Sequence, residues 1–262
     1  MNLTSAIKAP GEENLIEIRC HVPAKSARFY FGAGLYRPLR LVRTPPVHVG
    51  REGVFVTTKL RKDGSADISA KVEVKGPLAF VNAGGRNTFK WGDVRIANKV
   101  VGEDGMRIQN PKLWSPETPH LYTLETRLTY AGQVVDTVYT KFGVRTLKYD
   151  PKAGFFLNGK YRQMKGVCLH HDLGSLGAAF DRGAFERQIK IMKEMGADAI
   201  RTSHNPPDPA VLDVCDEMGM MVMDEAFDCW NRHKRPSDYA TRTASSPHVC
   251  SVLRCWVLRT IG

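Results

Sequence analysis

The 262-residue sequence predicts a multidomain β plus α/β fold, in which a β region precedes an α/β region. Short apolar runs separated by Gly, Pro and Asp clusters occupy residues 14–144, a pattern typical of antiparallel strands. Beyond Pro151, strand-like runs alternate with helical runs, which indicates βαβ units and a parallel sheet. Strands of this length over about 100 residues favour an immunoglobulin-like β-sandwich at 49–146.

The β region contains five predicted strands and three predicted turns. Each turn contains glycine, which adopts positive φ without steric cost. Residues 1–48 are too few for a β domain of their own, so we expect them to be the closing strands of one. The strands are Leu15–Cys20, Leu39–Val42, Val54–Thr58, Ala66–Val74 and Leu121–Tyr130, and the turns are Asp63-Gly64, Ala83-Gly84-Gly85 and Ala131-Gly132.

The α/β region contains three predicted strands separated by two predicted helices. The first helix follows the N-cap Asp181 and carries one apolar stripe through Met195 before it ends at Gly196. The second helix carries its apolar residues over 211–218 and ends at Gly219. The strands are Arg162–Leu169, Ala197–Ser203 and Met220–Met223.

The composition argues against several classes of protein. The net charge is +11, but the sequence has no run of five like charges and no Gly-rich phosphate loop, so we expect no nucleic-acid partner. No run approaches the ~18 apolar residues of a membrane helix, and no secretory signal is visible, so we expect no membrane partner. The six cysteines form no C-x-x-C pair, and we expect Cys168 and Cys215 to be small core residues.

Polar residues end each of the three predicted parallel strands. The first strand ends in His170-His171-Asp172, the second in Arg201-Thr202-Ser203-His204-Asn205 and the third in Asp224-Glu225. Because the carboxyl ends of parallel strands meet at one edge, we expect these side chains to share one cleft.

Two chemistries suit imidazoles, a guanidinium and carboxylates in one cleft. Metal-assisted hydrolysis would use His170, His204 and Asp224 as ligands, although the first strand lacks the His-x-His spacing that puts two imidazoles on one face. Recognition of a hydroxyl-rich ligand such as a sugar would use the same polar groups, with Phe227 and Trp230 as aromatic platforms.

The α/β region carries three motifs in series, Gly166–Asp172, Arg201–Pro206 and Val222–Glu225. Together they resemble the start of the catalytic barrel of glycoside hydrolase family 2, which holds β-galactosidases, β-glucuronidases and β-mannosidases. The resemblance implies a retaining exo-β-glycosidase, and we expect the β-galactosidase type, with a β-galactoside-like carbohydrate as partner. Full-length members are often homo-oligomers.

Upstream segments extend the resemblance. Phe29–Arg37 is similar to the end of the family's N-terminal sugar-binding jelly roll, Leu113–Tyr122 to its immunoglobulin-like domain and Phe142–Arg145 to the entry to the barrel. The implied fold is the end of a jelly-roll domain, an immunoglobulin-like β-sandwich and the first three βα units of a TIM barrel. The expected domains are the jelly-roll strands at 1–48, the sandwich at 49–146, the barrel portion at 147–239 and a non-family tail at 240–262.

The resemblance also implies which residues bind the sugar. His170 and His204 would contact sugar hydroxyls, and Arg201 would support the neighbouring carboxylates. Asp172 after the first strand would be a further polar contact, and Asp224 and Glu225 would line the floor after the third strand. The implied substrate-binding residues are His170, Asp172, Arg201, His204, Asp224 and Glu225.

No catalytic residue is assigned, because the family's acid/base Glu follows strand four in an Asn-Glu pair and its nucleophile follows strand seven. No Asn-Glu dipeptide occurs in the sequence, so we expect the chain to be an inactive fragment. Cys229 stands where some members have an extra acidic magnesium ligand, so we expect no metal and no cofactor. The alternatives are a non-catalytic carbohydrate-binding or interaction module, based on 49–146, and the metal-dependent hydrolase.

Residues 240–262 lack both the fourth strand and a helix cap, which favours a frameshift or premature stop over a short natural terminus.

The compartment stays open, and bacterial cytoplasm or periplasm would follow from the family. We expect 49–146 to resist proteolysis and 147–262 to aggregate or to be partly disordered, since an incomplete barrel leaves apolar surface uncovered.

Overall fold

The computed structural model describes residues 3–20, 34–35, 37–76, 79–82, 85–88, 90–204 and 206–225. Several expectations from the sequence lie outside these residues: most of the Phe29–Arg37 motif, the aromatic platforms Phe227 and Trp230, the position of Cys229 and the tail at 240–262. Neither helix in the described part is long and apolar enough to cross a membrane.

Two three-stranded antiparallel sheets form the first part of the fold. One sheet has the order β1-β2-β6, the other has the order β5-β7-β8, and β3 and β4 form a separate hairpin. The predicted strands in 54–58, 66–74 and 121–130 are confirmed, while β5, β6 and β8 were not predicted. The bounds are β1 His48–Leu60, β2 Ala66–Lys75, β3 Ala79–Asn82, β4 Gly85–Thr88, β5 Val94–Val100, β6 Arg107–Ile108, β7 Tyr122–Tyr130 and β8 Gln133–Phe142.

The two sheets contain two clusters of buried apolar residues, because alternate residues of each strand face inward. In β7, Leu124, Thr126 and Leu128 are buried on one face, and Arg127 between them is exposed. The buried Thr126 hydroxyl donates a hydrogen bond of 2.7 Å to Asn98 Oδ1, which gives the hydroxyl a partner inside the sandwich. Leu128 belongs to the smaller cluster with Val47 and Val49. The larger cluster contains Leu124 and the following residues: Val56, Ala66, Ile68, Val100, Ile108, Phe142 and Val144.

A small antiparallel sheet follows the sandwich. Its strands are β9 Leu147–Asp150, β10 Gly154–Leu157 and β11 Lys160–Tyr161, in the order β11-β10-β9. Phe155 and Leu157 of β10 pack with Trp114 from the sandwich and with the first residues of two later strands. This sheet was not predicted, and it covers the amino end of the parallel strands.

The α/β part contains β12 Gly166–Leu169, α1 Arg182–Glu194, β13 Ala199–Thr202, α2 Pro209–Met218 and β14 Met221–Met223. The strands are parallel in the order β12-β13-β14, as predicted. The described residues thus contain two complete βα units and a third strand. Both helices begin at an aspartate N-cap, because Asp181 and Asp208 accept hydrogen bonds from backbone N–H groups of the first turn. The apolar stripe of α1 buries Phe185, Ile189 and Met192 against the sheet.

Two predicted strands are absent. Leu15–Cys20 and Leu39–Val42 have no regular secondary structure and no strand partner in the described part of the chain, and their large apolar side chains are exposed. A β-strand needs a neighbour for its backbone hydrogen bonds, so an apolar run alone does not form one. The predicted strand Arg162–Leu169 is also too long, because only residues 166–169 pair with β13.

Two predicted core residues are exposed. Cys168 pairs with Arg201 across the two strands, and its side chain lies on the face of the sheet away from the helices, so it is exposed. Cys215 is buried, as predicted. Met195 lies past the last residue of α1 and is 66% exposed. The three cysteines of the described residues are free thiols.

Candidate functional site

The six predicted site residues all lie at the carboxyl ends of the parallel strands. His170 and Asp172 follow β12, Arg201 lies in β13 and His204 follows it, and Asp224 and Glu225 follow β14 in the chain. The parallel register of the three strands brings these ends to one rim.

Glu225 joins Arg201 to His204. The Glu225 side chain is only 7% exposed. Arg201 Nε donates to Glu225 Oε1 at 2.8 Å, and Arg201 Nη2 donates to the same oxygen. His204 Nδ1 lies 3.1 Å from the other carboxylate oxygen, Oε2. These contacts compensate the burial of the carboxylate, and the hydrogen bond to Glu225 raises the pKa of Arg201.

His170 and His204 form an adjacent pair of imidazoles. Their ring centroids are 5.3 Å apart and their planes meet at 77°, an edge-to-face arrangement. The side chain of His204 is 27% exposed, so the pair lies at the surface of the rim while Glu225 lies beneath it. Imidazoles in such a position can donate or accept hydrogen bonds to a ligand.

The other two carboxylates, Asp172 and Asp224, do not contact Arg201 or the imidazole pair. They accept hydrogen bonds from a backbone N–H group and from a hydroxyl. Asp224 Oδ1 accepts a hydrogen bond of 3.1 Å from the Thr202 hydroxyl, which in turn accepts from the Glu225 backbone N–H at 2.9 Å. Asp172 Oδ1 accepts from the Gly174 N–H at 2.9 Å, which closes a turn of the loop after β12. The structure therefore brings together His170, Arg201, His204 and Glu225, and places the other two beside them.

The sequence interpretation expected Thr202 in the cleft but assigned it no role, and it placed Cys168 in the core instead of at the site. Thr202 holds both residues that follow β14, and Cys168 Sγ lies 3.6 Å from Arg201 Nη1. The alternation of strand residues could have revealed Cys168, because the registered partners Cys168 and Arg201 must share a face. The Thr202 contacts depend on how β13 and β14 meet in space, for which the sequence has no signal.

A cavity lies behind the rim, between the strand ends and the two helices. Leu169 and Ile200 line it from the sheet, and Phe185 and Val211 line it from the helices. His170, Asp172 and Thr202 also line the cavity, so it adjoins the rim, although Arg201, His204 and Glu225 are not among its lining residues.

The metal alternative lacks its ligand set in the part of the chain that the structure describes. No group of three His, Cys, Asp or Glu residues there could hold a metal ion. His170 and His204 are adjacent, but Asp224 turns to the Thr202 hydroxyl.

Comparison with known proteins decides the family. The model of the TIM barrel domain of glycosyl hydrolases family 2 matches residues 151–249, and a second model of glycosyl hydrolases family 2 matches residues 47–145. This chain belongs to glycoside hydrolase family 2. The resemblance inferred from the motifs is therefore confirmed, as is the general fold with an immunoglobulin-like part and a TIM-barrel part.

Several named family members align with most of this chain. A β-galactosidase, BoGH2A of Bacteroides ovatus, is 40% identical over 245 residues, which are 87% of this chain and 29% of that protein. A putative β-glucuronidase of Formosa agariphila is 35% identical over 82% of this chain and 21% of its own length. The crystal structure of a β-glycosidase from Bacteroides vulgatus superposes with a TM-score of 0.76 at 31% identity, covering 91% of this chain and 32% of that one. The chain thus spans about a third or less of these relatives.

Proposed function

We propose that this chain is a segment of a retaining exo-β-glycosidase of the β-galactosidase type, and that its barrel rim binds a terminal β-linked sugar. One observation carries the proposal: an imidazole pair lies at the carboxyl ends of parallel strands, beside the buried Glu225 carboxylate and its partner Arg201. The 40% identity to a β-galactosidase supports the galactoside type.

In this proposal His170 and His204 hydrogen-bond to sugar hydroxyls, and the other predicted residues shape the rim beneath and beside them. A sugar presents several hydroxyls that both donate and accept, which suits imidazoles held close together. Asp172, Asp224 and Glu225 already accept hydrogen bonds from the protein, so they support the rim more than they contact the sugar.

The domain assignment from the sequence is proposed again with one change. Residues 49–146 form the sandwich and residues 147–239 belong to the barrel, and residues 1–48 would be jelly-roll strands. The match to the TIM barrel model extends to residue 249, so the departure from the family would begin after that residue and not at residue 240.

We further propose that the chain is inactive by itself. Retaining hydrolysis needs two carboxyl groups ~5–5.5 Å apart on opposite sides of the scissile bond. Among the described residues, the rim carboxylate nearest the imidazole pair is Glu225, and its two oxygens are engaged by Arg201 and His204. It can neither attack a sugar nor protonate a leaving group without losing those contacts.

Two measurements on the purified chain test this function. Saturation-transfer NMR with methyl β-galactoside should show weak binding that His204→Ala abolishes. Nitrophenyl β-galactoside, β-glucuronide and β-mannoside should all give no turnover above background. A matched control is Glu217→Gln, since Glu217 also pairs with an arginine but lies on α2 against Lys141 and Arg182. Stronger binding of methyl β-glucuronide would contradict the galactoside type, and turnover would contradict the inactivity.

A further inference from the structure

We propose that Glu225 is a positioning residue that holds His204 in the tautomer with the proton on Nδ1, so that Nε2 accepts a hydrogen bond from a ligand hydroxyl. The statement about the ligand rests on the proposed function. The statement about the tautomer rests only on the contacts of Glu225.

The Glu225 carboxylate is held in one orientation. Its side chain is 7% exposed, and Oε1 accepts two N–H groups of the Arg201 guanidinium. Its backbone N–H donates to the Thr202 hydroxyl at 2.9 Å, which fixes the start of the side chain as well. Because Oε1 is engaged by the guanidinium, Oε2 is the oxygen that faces His204.

This orientation determines where the imidazole proton lies. A carboxylate only accepts hydrogen bonds, and Oε2 lies 3.1 Å from His204 Nδ1, so Nδ1 must be the donor. In a neutral imidazole the other nitrogen, Nε2, is then an acceptor. Free histidine in water favours the opposite tautomer, so the Nδ1–H form at His204 would be a signature of this contact.

The tautomer determines which ligand group can form a hydrogen bond with His204 Nε2. An acceptor Nε2 is complementary to a hydroxyl that donates its hydrogen. A ligand carboxylate has no hydrogen to donate, and its charge would face the lone pair of the nitrogen. The contact at His204 therefore suits a sugar hydroxyl and disfavours the carboxylate of a uronic acid at the same position.

Replacement of Glu225 by Gln should move the imidazole proton of His204 from Nδ1 to Nε2, and not only reduce the preference for Nδ1. The Arg201 donors require an oxygen, so the side-chain carbonyl of the introduced glutamine would take the place of Oε1. The amide NH₂ would then take the place of Oε2 and donate to Nδ1, which moves the imidazole proton to Nε2.

The test is ¹⁵N NMR of the histidine side chains in the full 262-residue chain at about pH 8.5, where imidazoles are neutral. The His204 signals are assigned by their loss in His204→Gln. We expect a protonated-type ¹⁵N shift at Nδ1 and an unprotonated-type shift at Nε2 in the unaltered chain. The two shifts should exchange places in Glu225→Gln and remain unchanged in the control Glu217→Gln.

Each outcome decides the proposal. An Nε2–H pattern at His204 in the unaltered chain would overturn it, and so would an unchanged pattern in a folded Glu225→Gln chain. If that variant does not fold, the pattern of the unaltered chain decides alone, because water favours the opposite tautomer. Failure of sugar binding with the Nδ1–H form present would count against the proposed function and not against the positioning role.

Discussion

At the scale of single residues, Arg162 shows how one side chain joins the sandwich to the α/β part. Its Nη2 and Nη1 donate to the two carboxylate oxygens of Glu117 at 2.6 and 3.2 Å, and its Nε donates to Asp198 at 2.9 Å. The bidentate hydrogen bond from Arg162 lowers the pKa of Glu117 to about 2.

This contact predicts a pH-dependent effect of Glu117→Gln. The pKa of Glu117 is lower in the folded chain, so its ion pair stabilises the fold above the unfolded pKa of about 4.3 and is lost as the pH falls towards 2. Because the Glu117 side chain is 63% exposed, solvent screening limits the effect to about 1 kcal/mol at neutral pH. Urea unfolding of both chains between about pH 2 and pH 7 measures it, with the exposed Glu194→Gln as control. A stability difference that stays constant across this range would contradict the assignment.

At the scale of elements, the ends of the two helices differ in what surrounds their glycines. Gly196 after α1 and Gly219 after α2 both have positive φ, at +91° and +73°. A Cβ at Gly196 would meet nothing within 4 Å, whereas a Cβ at Gly219 would lie 2.5 Å from the carbonyl oxygen of Pro116. The end of α2 is thus pressed against the sandwich, and the end of α1 is not.

These two glycines form a matched pair for mutation. Gly196→Ala should cost about 1 kcal/mol of unfolding free energy, the strain of a left-handed alanine. Gly219→Ala should cost about 3 kcal/mol, because the clash with Pro116 adds to the same strain. Thermal or urea unfolding compares the two variants. Equal losses would mean that the loop around Pro116 yields to the added methyl group.

The helices could be predicted closely from the sequence, and the strands less well. The N-cap Asp181 and the terminal glycines Gly196 and Gly219 are local signals, so the structure reproduces both helices, while the N-cap Asp208 of α2 was not predicted. Leu15–Cys20 has the same local apolar pattern as a strand, yet a strand forms only where a partner strand is present. The side-chain contacts of the rim depend on the geometry between strands, so the sequence could place Glu225 at the site but could not show that it lies beneath His204.

At the scale of the whole molecule, the sandwich and the α/β part share a core around Trp114. This side chain is 1% exposed and packs with Phe155, Leu157, Ala199 and Met221, and its Nε1 donates to the Asp216 carbonyl at 2.9 Å. Lys193 adds hydrogen bonds from the helix layer to the carbonyl oxygens of Pro116 and Met218. The amino end of the parallel sheet therefore depends on the sandwich for its cover.

Trp114→Ala should separate the stabilities of the two parts. Loss of the ring leaves a cavity and removes the hydrogen bond to the Asp216 carbonyl, which together cost about 4 kcal/mol of unfolding free energy. The sandwich core around Leu124 and Phe142 does not include this ring, so residues 49–146 should still resist trypsin while residues 147–225 are cleaved earlier than in the unaltered chain. Trp91→Ala is the matched control, since Trp91 is 56% exposed and its loss should cost less than about 0.5 kcal/mol. If Trp114→Ala sensitises the sandwich and the α/β part to trypsin equally, the two parts unfold as one unit and the shared core stabilises both.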